Sequence, residues 1–269
     1  MSAEKFFDHI ELLRCPHCGT AFSHRGSSLH CENGHTFDPS RKGYVNFAPN
    51  AAQSRYGKQL FESRRRILEG GFYDSVIDAV RNAMPLNPDV VLDAGCGDGT
   101  FTKALQAGTT FGLDLSKDAI KLAANGGGPI LWAVGDLTHI PLKDDSTDLI
   151  LNLFSPAHYA EFSRILKRSG RLIKLVPQTG YLKEIRAMMT DRLRSETYSN
   201  HSVVSLLSDR FHLLDQIRIC REYPLTPGQA KDFLHMTPLT FGTDPESLDA
   251  DALHSVTIDV ELLIAEKES

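Results

Sequence analysis

Along this chain the spacing of apolar residues changes character near residue 89. Upstream, positions 58–69 carry apolar residues at helical intervals and predict one helix, stopped by Gly70-Gly71. Val76, Ile77, Val80 and Met84 predict a second helix over 73–84, ended by Pro85 and Pro88. Downstream, short near-continuous apolar runs at 90–92, 110–113, 130–134, 149–154 and 171–176 read as strands. Helical patterns over 100–107, 116–125 and 159–166 separate them, with Ser116 placed as a cap and Gly126-Gly-Gly128 as a stop. Uninterrupted apolar strands alternating with helices predict an α/β unit whose parallel sheet is covered on both faces. Beyond Pro177 the pattern predicts a helix over 181–194, a strand-like run over 211–223, a helix over 227–236 and a last strand over 255–265. The two late strands are suited to an antiparallel pair at one sheet edge. Three segments follow: 1–50, a linker with helices over 51–86, and the α/β unit over 87–269.

The densest signal is Val90-Val-Leu-Asp-Ala-Gly-Cys-Gly-Asp-Gly-Thr100. An apolar run that ends in glycines predicts a buried strand turning sharply into a helix. Glycine lets backbone approach a ligand closely, and the helix start offers unpaired N–H groups. The spacing is G-x-G-x-G, not the G-x-G-x-x-G of dinucleotide folds, so it indicates a nucleotide-type cofactor loop or a tight turn with no ligand. Three acids end successive strands: Asp93, Asp114 and Asp136. An acid at Asp114 suits ribose hydroxyls and disfavours a 2′-phosphate. Asp136 is suited to an adenine amino group. Parallel sheets bind ligands at the carboxyl ends of their strands, which is where these acids fall.

The first 50 residues carry three of the five cysteines, in the pattern C-x2-C-x12-C-x3-H formed by Cys15, Cys18, Cys31 and His35. In a chain that begins without an apolar signal segment, clustered cysteines indicate metal rather than disulfides. Three thiolates and an imidazole make a closed tetrahedral zinc site, structural rather than catalytic. His17, His24 and His30 compete for the fourth position, but only His35 repeats the close spacing, after a glycine suited to a tight turn. A unit this small needs such a staple. Phe37, Tyr44 and Phe47 alternate with basic residues and glycine, so they either stack on bases or fill the small core.

Composition alters this picture little. The apolar fraction of 41% and charged fraction of 23% are ordinary for a globular protein. No run is long and apolar enough to span a membrane, and a cytoplasmic location is expected. The net charge of −5 argues against a general nucleic-acid binder. Yet residues 1–72 hold 10 Lys/Arg against 7 Asp/Glu, and 41–66 hold seven bases (Arg41, Lys42, Arg55, Lys58, Arg64, Arg65, Arg66) against Glu62 alone. That segment is either a phosphate-binding patch or a solvated helix face.

Asp93-Ala-Gly-Cys-Gly-Asp-Gly99 with Asp114 and Asp136 resembles the motif set of class I S-adenosylmethionine-dependent methyltransferases. The resemblance implies a Rossmann-like, mostly parallel sheet with an antiparallel last strand. It implies that the glycine loop with Asp93, Gly95, Gly97 and Asp98 passes the methionine part of the cofactor, that Asp114 holds the ribose and that Asp136 reaches the adenine, with Leu115 and Leu137 as further cofactor-binding candidates. The order Cys15-x-x-Cys18, Cys31-x-x-x-His35, Lys42-Gly-Tyr-Val-Asn46, Arg64-Arg-Arg66, Gly71-Phe-Tyr73 is similar to the bacterial 23S ribosomal RNA guanine-N1 methyltransferases of the RlmA/TlrB group. This closer resemblance spans the whole chain. It implies methylation of a guanine in a domain II hairpin near the exit tunnel, RNA recognition by the zinc unit, and in some members macrolide resistance. It also places Tyr73 and Tyr181 at the cofactor.

Methyl transfer to guanine N1 needs the N1 proton to leave and the base to be unpaired or flipped. Asn152 and the segment 154–158 after the fourth strand are the expected wall against the acceptor, with Asn152 as the catalytic candidate. His158 is either a base by its titration range or a helix cap. The competing readings are a small-molecule methyltransferase and a non-catalytic ribosome-binding protein. The partners expected are 23S rRNA, no membrane, and an oligomeric state that leaves room for a homodimer.

Overall fold

A computed structural model describes residues 4–49, 57–189, 200–241 and 243–267. The linker expected over 48–57 lies mostly outside these residues, as do Arg55, the domain boundary near residue 50, and the end of the helix expected over 181–194. The chain begins with a small antiparallel sheet of β1 (Phe22–Arg25), β2 (Ser28–Cys31) and β3 (Thr36–Phe37). Next come β4 (Tyr44–Asn46), α1 (Lys58–Glu69) and α2 (Asp74–Ala83). The α/β succession runs β5 (Val90–Ala94), α3 (Thr100–Ala104), β6 (Thr109–Asp114), α4 (Lys117–Ala123) and β7 (Leu131–Val134). It continues with β8 (Thr147–Leu153), α5 (Tyr159–Ile165), β9 (Leu166–Pro177), α6 (Lys183–Met188) and α7 (His201–Ser208). It closes with β10 (Phe211–Pro224), α8 (Pro227–Met236) and β11 (Ser255–Lys267). No helix among the described residues is long and apolar enough to cross a membrane.

Eight strands form the large sheet in the order β10-β11-β9-β8-β5-β6-β7-β4. All neighbours are parallel except β11, which is antiparallel to both β9 and β10. The late strands therefore do pair antiparallel at an edge, and β11 inserts between β10 and the rest. Order reverses between β5 and β8, so their carboxyl ends open a crevice where ligands of α/β sheets bind. β5 and β7 are buried on every residue, and β6 and β8 on all but Thr109, Asp114 and Asp148. Ser116 caps α4 by accepting from the Ala119 N–H, as its position predicted.

β4 belongs to this large sheet rather than to the small one. Tyr44, Val45 and Asn46 register against Trp132, Ala133 and Val134 of β7. Phe22, Phe37 and Phe47 pack ring against ring and share one apolar core with Leu113, Leu131 and Leu142. The base-stacking reading of Phe37, Tyr44 and Phe47 is overturned: all three are buried. The N-terminal unit is thus an extension of the large sheet's core. It also clamps the loop after β7, where Leu13 bridges Leu142, the Arg14 N–H donates to the Pro141 carbonyl and Arg14 pairs with Asp144.

Two helical expectations shift. α6 starts at Lys183 because Leu182 stands in the left-handed region at φ +52° while its N–H bonds the Thr257 carbonyl of β11. α7 is a helix with no counterpart in the sequence reading, its apolar residues Val203, Val204 and Leu207 meeting the core beside β10.

Candidate active site and zinc ribbon

At the N-terminal unit two tight turns face one another. Gly19 at φ +74° donates to the Cys15 carbonyl, and Gly34 at φ +83° donates to the Cys31 carbonyl. Each left-handed glycine folds a pair of ligands inward, which a side chain at that φ would resist. The ligand atoms of Cys15, Cys18, Cys31 and His35 all lie within 4.8 Å of one another. Cys18 Sγ is 3.6 Å from Cys31 Sγ, and His35 Nδ1 is 3.3 Å from Cys31 Sγ. Zinc–sulfur bonds of about 2.3 Å arranged tetrahedrally need edges of roughly 3.8 Å, so the cage fits a zinc ion. The rival histidines stand aside: His24 stacks on Phe7, His30 meets Thr36, and His17 lies against the rings of His35 and Phe37. Four protein ligands leave no open position, so this metal is structural.

At the carboxyl end of β5 the chain bends over β6, with the N–H groups of Gly95 and Cys96 donating to the Leu113 carbonyl. Gly95, Gly97 and Gly99 all have positive φ, of 84°, 57° and 77°. A Cβ on Gly95 would overlap the Ser155 hydroxyl, whereas one on Gly97 would meet only Arg64 and Phe61 at ordinary contact distance. Gly97 therefore leaves an open cradle, as a ligand-binding glycine should. The Asp114 carboxylate accepts from the Gly97 N–H at 2.9 Å and the Ser116 N–H at 2.7 Å, which ties the glycine loop to the end of β6. Burial pushes Asp114 above the usual carboxylate range. Asp93 is almost fully buried, accepts from the Thr102 hydroxyl at 2.6 Å, and is pushed up to about 7, chiefly by burial. The other cofactor candidates divide. Leu115 and Asp136 are exposed beside the loop, and Leu137 is half-buried. Asp98 instead caps α3 through Thr100 and faces Arg65, which occupies its oxygens internally.

Tyr73 and Tyr181 come together, their hydroxyls 2.6 Å apart. With Phe101 and Phe154 they form an aromatic wall: Tyr73 meets both phenylalanines edge-on at 5.9 Å, and Phe154 lies 5.4 Å from Tyr181. Phe154 holds φ +57°, a strained value for a bulky residue and one that recurs at functional sites. Sequence reading reached the two tyrosines and the 154–158 segment but not Phe101, since an apolar residue at a helix start carries no chemical signal.

Asn152 departs from the expectation. It is wholly buried, its amide NH2 facing the Ala94 and Pro156 carbonyls and the Ser155 hydroxyl, and its oxygen accepting from Lys174 Nζ at 2.5 Å. Both ends are committed to protein, so Asn152 is a strut under the 154–156 turn and not a contact for an acceptor. Lys174, its register partner on β9, also donates to the Ser155 carbonyl at 3.1 Å. A lone lysine inside the apolar run Leu172–Val176 was the available signal for this network. His158 accepts from the Glu161 N–H and caps α5, the plainer of its two readings.

Lys174 is 4% exposed, and burial lowers it to about 8 from an ordinary 10.5. Between those values the folded chain binds fewer protons than the unfolded one, so stability from this group rises with pH. Urea unfolding at pH 8 and pH 10 should show the wild type gaining about 2 kcal/mol relative to Lys174→Met. Parallel responses would mean that Lys174 is no buried ammonium.

The expected basic patch is not one surface. Arg66 forms a two-pronged pair with Asp232 at 2.6 and 2.9 Å, Arg65 faces Asp98 at 3.6 Å, and Arg64 turns to the glycine loop. Arg41 and Lys42 line a separate cleft of about 660 Å³ with Lys5 and Lys121. Lys5 donates there to the carbonyls of Gly128 and Ile130, at the amino end of β7. Arg65 also reaches the rim of this cleft, donating to the Leu122 carbonyl at 3.4 Å.

Comparison with known proteins bears on this geometry. A methyltransferase-domain family model matches residues 92–175, and a zinc-ribbon model described as the RlmA N-terminal unit matches residues 13–55. A Bacillus subtilis protein, YxjB, provisionally named a 23S rRNA (guanine-N1)-methyltransferase, is 36% identical over 96% of this chain and 98% of its own. The chain belongs to the 23S rRNA (guanine-N1)-methyltransferase family. A Streptomyces fradiae relative, named 23S rRNA (guanine(748)-N1)-methyltransferase, is 29% identical over 93% of this chain and 95% of its own. Among solved structures, a chain from the complex of the Haloferax volcanii Trm112 methyltransferase activator with a methyltransferase shares the fold, at TM-score 0.52 and 19% identity. It covers 77% of this chain and 94% of that one. This methyltransferase therefore depends on S-adenosylmethionine and carries a structural zinc ribbon, and it is an enzyme.

Proposed function

We propose that this methyltransferase transfers the methyl group of S-adenosylmethionine to N1 of a guanine in 23S rRNA. The observation that carries the RNA reading is the zinc ribbon built into the edge of the catalytic sheet, where it grips the loop that follows Asp136. A ribbon serving only as a staple would not need to reach that loop. Asp114 is the residue for the ribose hydroxyls, and Asp136 and Leu137 are suited to the adenine. The open cradle at Gly97 takes the methionine end, with Tyr73 and Tyr181 beside it. When bound, the cofactor supplies a methyl group on a cationic sulfur.

The chain's own work is positioning. A flipped guanine has a flat face, and Phe154 with Tyr181 offers a matching one. Lys174 and Asn152 hold the 154–156 turn that carries Phe154, so that N1 meets the methyl carbon in line. The tyrosine hydroxyls are pushed above their ordinary range by burial, which disfavours them as proton acceptors. The N1 proton is left to solvent. Lys5, Arg41, Lys42 and Lys121 form a cationic cleft for the backbone of the RNA.

A domain II hairpin near the exit tunnel is the target to examine first. Mass mapping of 23S rRNA from cells with and without this protein should show one methyl group gained at a single guanine, and a reverse-transcription stop there, because N1 lies on the pairing edge. Tylosin susceptibility of the same strains tests the link to macrolide resistance. Identical RNA maps from the two strains would contradict the proposal.

A further inference from the structure

Three consecutive arginines on α1 meet three different fates. Arg65 and Arg66 have acidic neighbours, Asp98 and Asp232. Arg64 has no hydrogen bond or ion pair among the described residues, although it is half-buried. Leu60, Phe61, Ile67 and Leu68 are buried, so α1 packs on that side and carries the Arg64 guanidinium towards the glycine loop. There it lies over the Phe101 ring, 6.0 Å from its centre. Its Nη1 is 3.7 Å from where a Cβ on Gly97 would stand, on the wall of the open cradle. The carboxylates nearby are otherwise engaged, Asp114 with two backbone N–H groups and Asp93 with Thr102. Asp93 and Asp114 act on Arg64 only through space, so its planar fork, shaped for a carboxylate, keeps its donors without a hydrogen-bonded one.

We propose that Arg64 binds the α-carboxylate of the cofactor's methionine moiety and selects for cofactors that carry it. The proposal rests on the cofactor site described above. The cofactor brings two positive groups, the sulfonium and the ammonium, and one negative one. The surrounding pocket supplies Asp93 and Asp114 as acids, and of the two arginines at the loop Arg65 already faces Asp98, which leaves Arg64 beside Gly97 to match the negative end. The Phe101 ring beneath fixes the guanidinium plane. Nothing in the charge count of residues 41–66 distinguishes this arginine from its neighbours; the direction in which α1 presents it does.

Calorimetric titration of the full-length zinc-loaded protein with S-adenosylhomocysteine, and with its decarboxylated analogue, tests the assignment. The wild type should bind S-adenosylhomocysteine roughly tenfold to a hundredfold more tightly than the analogue. Arg64→Gln should lose that preference by weakening only the carboxylate-bearing ligand, and Arg64→Lys should retain part of it. Asp114→Asn should weaken both ligands alike, since the ribose is common to them. Equal weakening of both ligands by Arg64→Gln would overturn the proposal and leave Arg64 as a packing residue on Phe101. Unchanged affinity for both, with loss of RNA binding, would overturn it in favour of a phosphate contact. A wild type that bound neither ligand would instead defeat the cofactor site itself.

Discussion

Stripping the zinc, or replacing Cys15 with serine, should unzip the edge of the catalytic sheet as well as unfold the ribbon. The reason lies in how the two are joined. Structural zinc contributes on the order of 10 kcal/mol to the fold of a small unit, more than the three short strands β1–β3 supply by themselves. Without it the Phe22, Phe37 and Phe47 cluster loses its frame, and that cluster is continuous with Leu113, Leu131 and Leu142 of the α/β unit. β4 pairs with β7 through only three residues, and among the described residues no further strand lies beyond it. The loop after Asp136 is pinned to the ribbon by the Arg14–Pro141 and Lys143–Leu12 backbone bonds. Hydrogen exchange should therefore accelerate at 44–47, 131–134 and 137–143, not only within 12–40. RNA methylation should fall below detection, and S-adenosylhomocysteine affinity should fall about tenfold through the loop after Asp136, the side proposed for the adenine. Exchange confined to 12–40 with unchanged cofactor affinity would show that ribbon and sheet fold independently.

The second large effect is expected from Gly95→Ala. Gly95 stands at φ +84°, and an added methyl would overlap the Ser155 Cβ and hydroxyl. Ser155 cannot withdraw easily, because its hydroxyl donates to the Ala94 carbonyl at 2.6 Å and meets the Asn152 amide. Backbone strain costs about 1 kcal/mol and overpacking about 1–3 kcal/mol more. Relief can come only by displacing the glycine loop from Leu113 or the 154–156 turn from β5, and either movement spoils the cofactor site. Cofactor affinity should drop at least about a hundredfold, with a melting point several degrees lower. Gly126→Ala is the comparison, for its φ is +94° but nothing stands within 4 Å of an added Cβ. It should show the strain alone, with cofactor affinity intact. Adding Ser155→Gly to Gly95→Ala should restore part of the melting point. If Gly95→Ala and Gly126→Ala behaved alike, the close approach of the two loops would not matter.

How far the site could be read from residues alone follows the range of each signal. The zinc ligands were legible because a tetrahedral cage built from two tight turns imposes short, repeated spacings, and the glycine of each turn is visible beside its ligands. Asp93, Asp114 and the glycine loop were legible because parallel strands end at fixed places relative to the apolar run before them. Asn152 was placed correctly at a strand end and wrongly in role: nothing local to it announces that Lys174, 22 residues later, supplies a cation to its oxygen. Arg64, Arg65 and Arg66 looked alike because net charge has no direction. A helix turns about 100° per residue, and that rotation sends the three to a glycine loop, an α3 cap and α8.

From the sequence by itself come the α/β class, the order of strands and helices, the cofactor type and the zinc cage. Each is written in contacts between residues close along the chain or in the period of burial. Tertiary structure alone decided that the ribbon's last strand completes the large sheet, that Asn152 is a strut, and that of the two arginines facing the glycine loop Arg65 meets Asp98 while Arg64 lies against Gly97. Those outcomes depend on which distant segment fills the space beside a side chain, and packing of the whole chain determines that. The glycine loop is in place from the local pattern. What it touches, Ser155 on one side and Arg64 on the other, required the fold.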